Sequence, residues 1–354
     1  MKEGKIRIGI THGDINGIGC EVILKSLNDP RILELLTPVL YSSPKVIAYY
    51  RKALNLSNLN THSIHSAEEA HDEHINVVNC LNDEVRVEIG KSTAQGGEAA
   101  LLSLQAAIKE VKNGLVDALV TAPINKYNIQ TEQFNFPGHT EYLQSEFGNG
   151  NALMLMVCNS LRMGILTGHA PLSKVPALIT QDKILSTLRL INNAMLEDFN
   201  INRPRIAVLS LNPHAGDNGL LGTEEQTIIA PAIETAKNEK ILAFGPYSSD
   251  GFFGTDNYRK FDVVLSMYHD QGMTAFKNLC FEKGVNYTAG LPIVRTSPAH
   301  GTAYDLAGKD VASPESFRQA LYMACDIASK RKMYHSLKTN AMKDVEVKYS
   351  TNDE

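Results

Sequence analysis

Three histidines in this chain sit just beyond short apolar runs. Met163–Leu166 leads to His169, Ile206–Leu211 to His214, and Val263–Met267 to His269. Three neutral imidazoles can hold one divalent ion and leave a coordination position open for a substrate. The gaps between them are too long for a metal-binding motif, so spacing leaves two readings: a ligand trio, or scattered polar loop residues. His139, in the stretch FPGHTE, is a fourth loop histidine, and a satisfied turn residue is its plainer reading. His12 and His300 lie in glycine-bearing loops without so clear an apolar run before them. A second polar group follows His269, where Lys277, Asn286, Arg295 and Thr296 punctuate AFKN, GVNYTAG and LPIVRTS. Charges inside apolar segments often face a cleft, because burial without a partner is costly. Lysine, arginine and an amide suit a phosphate monoester, supplying a point charge, a planar fork and a neutral hydrogen bond. The alternative is surface charge on short loops.

These residues need elements to position them. Ile6–Thr11 is a β-rich run that breaks into Gly13, Gly17 and Gly19, and an apolar stretch with helical spacing, Val22–Leu27, follows. The glycines match neither the dinucleotide fingerprint nor a P-loop, so they read as a tight strand-to-helix connection. A nicotinamide cofactor would therefore bind without the usual signature. Gly97–Val111 is a strong helix with Leu101, Leu104, Ile108 and Val111 on one face. Further strand-like runs are Asp117–Val120, Ala152–Val157 and Ile241–Phe244, beside the three that precede histidines, with helical stretches near 183–197, 224–238 and 314–336. Ser313 is placed as N-cap of the last, with Pro314 at its first position. Strands alternating with helices predict an α/β fold with largely parallel sheets. Residues 56–76 carry His62, His65, His71 and His74 at irregular spacing, which reads as a polar surface segment rather than a metal tract. Ser350–Glu354 reads as a frayed tail.

Composition narrows the function classes. The 354 residues suffice for about two domains, and 43% hydrophobic with 21% charged residues is an ordinary globular balance. A net charge of -5 argues against a nucleic-acid partner met by a strongly basic surface. Five widely spaced cysteines with no Cys-x-x-Cys pair read as neither a disulfide framework nor a thiolate zinc site, and fit a reducing compartment. No apolar run approaches a membrane span and the first residues are not a signal peptide, so the expectation is a soluble cytoplasmic protein without a membrane partner.

Taken together, the segments resemble the 4-hydroxythreonine-4-phosphate dehydrogenase family of vitamin B6 biosynthesis. The blocks that carry the likeness are ITHGDINGIG, TAPINK (121–126), PGHTEYL (137–143), LTGHAPL (166–172), LNPHAGDNGLLGTEE (211–225) and GPYSSDGFF (245–253). DVVLSMYHDQG (262–272), GLPIVRTS (290–297) and HGTAYDLAG (300–308) complete a collinear set spanning nearly the whole chain. The resemblance implies two α/β domains with largely parallel or mixed sheets, akin to isocitrate and isopropylmalate dehydrogenases. It implies one domain from residues 1–128 plus 300–354, a second from 129–299, and an active-site cleft between them.

It also implies that His169, His214 and His269 bind one divalent metal (zinc, magnesium or cobalt), and that His139, Thr140, Lys277, Asn286 and Arg295 bind substrate. Asp270 and Asp250 match acidic positions near the site, candidates for orienting a ligand histidine or relaying a proton. The implied activity is NAD- or NADP-dependent oxidation of 4-phosphooxy-L-threonine, then decarboxylation to 3-amino-2-oxopropyl phosphate, by a homodimer whose neighbouring subunit completes each site. Family members often carry Pro where this chain has Ile15, and usually Asp where it has Ala299. The second departure removes a carboxylate near the cleft and keeps open a sister activity on phospho-D-threonate or phospho-D-erythronate. Rival classes are a metal-dependent phosphohydrolase and a non-catalytic binder of phosphorylated metabolites.

Overall fold

The computed structural model describes residues 5–82, 84–148 and 152–339; Ser350–Glu354 lies outside them. Twelve strands form one mixed sheet: β1 (Ile6–Thr11), β2 (Leu36–Ser42), β3 (Thr61–Ile64), β4 (Ile75–Asn79), β5 (Ala118–Thr121), β6 (Leu153–Cys158), β7 (Leu161–Ile165), β8 (Arg205–Leu209), β9 (Leu242–Tyr247), β10 (Val263–Ser266), β11 (Val285–Ala289) and β12 (Val294–Pro298). Their spatial order is β3-β4-β2-β1-β5-β12-β11-β6-β7-β10-β8-β9. From β3 to β12 every neighbour pair is parallel, as is every pair from β7 to β9. Between these blocks, β11 runs antiparallel to both β12 and β6, and β6 antiparallel to β7. The fold is α/β, with helices over a mixed sheet, as the alternation of runs predicts.

The expected elements fall where the apolar periodicity places them. The helix Ala94–Lys112 starts at Thr93, whose Oγ1 accepts from the backbone N–H of Gly96 at 3.1 Å. The last described helix spans Glu315–Thr339, and Ser313 Oγ accepts from Glu315 N at 3.4 Å just before it. Of the stretch near 224–238, the α-helix covers Ala230–Asn238, and residues 225–229 form a wider π-turn. Two expectations need correction. Residues 56–76 include β3, two of whose four residues are exposed but whose backbone pairs with β4 along its length. An edge strand held by backbone bonds needs no apolar alternation, so its sequence does not announce it. The second concerns the cysteines: Cys158 and Cys280 form a disulfide across 122 residues of sequence, while Cys20, Cys80 and Cys325 stay free. Among the described residues no helix is long and apolar enough to cross a membrane.

A buried polar cluster fastens the C-terminal helix to the second half of the sheet. Asp198, just past the helix Gln181–Glu197, accepts from Tyr287 Oη of β11 and, at 2.7 Å, from Arg331 Nε of the helix Glu315–Thr339. Arg331 also donates to Tyr287 Oη at 3.1 Å. Asp198 is 2% exposed, so removing its cation leaves a charge with no water to replace it. Arg331→Ala is expected to lower the unfolding free energy by about 3–5 kcal/mol in a urea titration. A loss under about 1 kcal/mol would show that this ion pair behaves like an exposed one.

Candidate active site

A cavity of about 700 Å³ opens beyond the carboxyl ends of β5, β12, β7 and β10. Ligand sites of open α/β sheets lie at such edges, because loops leaving parallel strands converge there. Arg295 projects from β12 into the cavity wall and is 3% exposed. Its Nη2 and Nε donate to Thr121 Oγ1 at 2.6 and 3.1 Å, and its Nη1 to Thr288 Oγ1 at 3.1 Å. Both partners are neutral hydroxyls, and no carboxylate among the described residues forms an ion pair with it. Burial lowers its pKa to about 10, against a smaller opposing effect from Glu141. A guanidinium so enclosed lacks its counter-charge, and the cavity is where an anion would supply one.

The surrounding groups strengthen that demand. Lys277, on the helix His269–Cys280, and Lys126, in the loop after β5, both line the cavity. His139 and Thr140 open the helix His139–Phe147, at the end whose free N–H groups favour anions. His139 is held neutral, its pKa well below the usual 6.5, chiefly by burial and further by Arg295 and Lys126. Its Nε2 and the Oδ1 of Asn286 on β11 are buried without a hydrogen-bond partner. Among the described residues these are polar atoms awaiting a ligand.

Also lining the cavity, His169 and His269 bring their rings to 5.2 Å between centroids. The Nδ1 of His269 lies 2.7 Å from Asp270 Oδ1. A carboxylate only accepts, so Nδ1 carries the proton and Nε2 is left with its lone pair. Asp270 thus orients the His269 ring rather than lining the cavity itself. His169 has a lowered pKa, first by burial, then by Lys126 and His269.

His214 does not join this pair within one chain. It lies exposed in the turn after β8, and residues 214–218 all have φ between 42° and 81°. That run includes His214, Ala215, Asp217 and Asn218, side chains for which the left-handed region is strained, so the surroundings must impose it. Glu225 does so. Its Oε1 accepts from the backbone N–H of Leu211 and Asn212 at 2.8 and 2.7 Å, and its Oε2 from Asn212 Nδ2 at 3.0 Å. Asp250 stands on the helix Ser249–Gly254, near enough to His214 to feel its charge, and accepts from Ser248 Oγ at 2.6 Å. Gln271 stitches the loops together, donating to Ser210 O at 2.6 Å and Ser249 Oγ at 2.7 Å, and accepting from Met267 N at 2.8 Å.

Sequence reasoning passed over Lys126, Glu225 and Gln271. Lys126 stood inside the TAPINK block and Glu225 at the end of LNPHAGDNGLLGTEE, but only the fold shows what they touch. Among the described residues no group of three or more His, Cys, Asp or Glu side chains is placed to hold a metal ion.

Several imidazoles near the cavity are neutral by burial, which links stability to pH. His12, fully buried after β1, has its pKa lowered to about 4, and His300 is also lowered, each mainly by burial. Such groups take up protons more readily once unfolded. Their stabilisation is complete above pH 6.5 and is lost as pH falls toward the folded values. Unfolding free energy is expected to drop by about 2 kcal/mol between pH 7 and pH 5 from His12 alone, measured by urea titration. A flat or rising profile over that window would contradict the burial of a neutral His12.

Comparisons with known proteins place this geometry. Residues 34–324 match the family described as "Pyridoxal phosphate biosynthetic protein PdxA". A protein of Bacteroides thetaiotaomicron named 4-hydroxythreonine-4-phosphate dehydrogenase is 53% identical over 348 residues, covering 97% of this chain and 94% of that one. A protein of the same name from Sulfurihydrogenibium is 41% identical over 328 residues, covering 92% and 100%. The crystal structure of 4-hydroxythreonine-4-phosphate dehydrogenase from Klebsiella pneumoniae superposes with a TM-score of 0.78 at 33% identity, covering 92% of this chain and all of that one.

Proposed function

The chain belongs to the PdxA family of pyridoxal phosphate biosynthetic proteins, and on that premise we propose that it oxidises 4-phosphooxy-L-threonine with a nicotinamide cofactor and decarboxylates the product to 3-amino-2-oxopropyl phosphate. The observation that carries this reading is Arg295, a buried cation without a counter-charge in a cavity that also holds a pair of imidazoles. A phosphate dianion supplies the charge that Arg295, Lys126 and Lys277 call for. His139, neutral at the helix N-terminus, hydrogen-bonds the phosphate without adding to the positive charge.

His169 and His269 suit a divalent ion, since Asp270 leaves the Nε2 of His269 free to ligate. Two imidazoles are an incomplete set, and His214 lies on an exposed turn outside the cavity lining. We assign the third ligand to the partner subunit's His214 in a cytoplasmic homodimer. When bound, the ion supplies Lewis acidity at the substrate hydroxyl and the nicotinamide a hydride acceptor. The protein's own residues hold the phosphate end, fix the tautomer of His269 and brace the His214 turn through Glu225 and Gln271. That anchoring keeps the C3 carbon in one place through both oxidation and loss of carbon dioxide.

Ala299 favours a second reading. It lines the cavity where the family resemblance implies a carboxylate, so the chain has one group fewer to meet a substrate ammonium. A phosphorylated sugar acid such as phospho-D-threonate, with a hydroxyl in place of the amine, would not need it.

The test is NAD(P)H formation by purified protein with added divalent metal, on 4-phosphooxy-L-threonine and phospho-D-threonate in parallel. Higher kcat/KM on the amino substrate is expected. Preference for the acid would keep the chemistry and change the substrate. Release of inorganic phosphate without NAD(P)H would overturn the reading in favour of a phosphohydrolase.

A further inference from the structure

Far along the sheet from the cavity, with β4, β2 and β1 between it and β5, the β3 edge gathers three exposed histidines. The rings of His62 and His71 lie 5.2 Å apart between centroids, those of His62 and His74 5.6 Å, and those of His71 and His74 5.8 Å. Imidazoles sharing one tetrahedral ion at about 2.0–2.1 Å from each nitrogen have centroids roughly 5 Å apart. No ring nitrogen of the three has a hydrogen-bond partner among the described residues, so none is committed elsewhere.

One buried amide sets this arrangement. Asn76 of β4 is fully buried and is the cross-strand register partner of His62. Its Oδ1 accepts from His71 N at 3.0 Å, and its Nδ2 donates to His71 O and His74 O, both at 3.0 Å. The same Nδ2 reaches Pro38 O at 3.2 Å, tying the group to β2. Between the histidines, Asp72 accepts from Thr37 Oγ1 at 2.7 Å, which fixes the turn a second time. The backbone at all three positions is therefore held, while the exposed rings remain free to rotate about their side-chain bonds. As they stand, the three side chains are not grouped so as to hold an ion, so binding one requires those rotations.

We propose that His62, His71 and His74 form a metal site separate from the cavity, selective for an imidazole-preferring divalent ion such as zinc. Three neutral nitrogen donors discriminate against magnesium and calcium, which take oxygen, and leave a fourth position to water. The irregular sequence spacing that reads as a surface segment conceals the site, because its members come from a strand and from the loop that doubles back beside it.

The experiment is equilibrium dialysis of the full chain, stripped of metal, against zinc ion alone, with the bound metal counted per chain. The comparison is the His62→Ala/His74→Ala variant, with unfolding curves to verify that its fold is intact. The wild type is expected to retain one zinc more per chain than the variant. His71→Ala should lose the same ion, since its backbone bonds to Asn76 survive the change. A His169→Ala/His269→Ala variant should keep it, which separates this site from the cavity whatever reaction occurs there. Equal zinc content in the wild type and the His62→Ala/His74→Ala variant would overturn the proposal, as would loss of the ion in the His169→Ala/His269→Ala variant.

Discussion

A guanidinium buried without a carboxylate is an expensive thing to build, and Arg295 is the constraint on which the cavity depends. Stripping water from such a cation costs several kcal/mol, and two hydroxyls, Thr121 and Thr288, recover only part of it. The fold bears this cost because Arg295 lies on β12, paired with β5 and β11, where its side chain is 3% exposed and faces the cavity. The missing charge then becomes the specificity of the site. An anion entering the cavity completes an ion pair in a low-dielectric setting, where the attraction is far stronger than at the surface. Lys126, Lys277 and the opening turn of the helix His139–Phe147 face the same space and add to the field.

The mixed order of the sheet makes that convergence possible. Two parallel blocks point their strand ends and loops at a common cleft, and the antiparallel strands β11 and β6 join them without a gap. Residues from position 121 to position 301 line one cavity as a result. The chemistry of the cleft is incomplete in a second respect. His169 and His269 stand ready as a pair, with Asp270 fixing one tautomer, while His214 is displayed outward on a strained turn. Strain of this kind persists only where neighbours impose it, and Glu225 anchors Leu211 and Asn212 at the entry to that turn.

Much of the framework was legible from apolar runs alone. β1, β5, β6, β7, β8, β9 and β10 and the long helices sit within a few residues of their expected places; the last helix opens at Glu315 rather than Pro314, so Ser313 bonds Glu315 N from one residue before the cap position. β2 escaped notice because it is buried along its whole length, so it shows no alternation, and Pro38 within it reads as a strand breaker. β11 and β12 were hidden by the polar residues that make them functional, Asn286, Arg295 and Thr296, which face the cleft or bond internally rather than marking loops. The family resemblance named ten site residues. Seven of them (His139, Thr140, His169, His269, Lys277, Asn286 and Arg295) line the cavity, whereas His214, Asp250 and Asp270 do not. That split was invisible in the sequence, since nothing in a one-dimensional pattern says which loops belong to the same cleft of the same chain.

One chain, on this account, carries both halves of a catalytic site without assembling them, and a second copy closes it. The most direct measurement mixes two inactive variants, His214→Ala and His269→Ala, after partial unfolding and refolding together. Each alone should show no metal-dependent NAD(P)H formation. If the ligands come from different chains, half of the randomly paired dimers hold one intact site, and activity returns to about a quarter of the wild-type rate. If the three histidines serve within a single chain, every subunit in the mixture lacks a ligand. Activity would then stay at the background of the separate variants, contradicting the account.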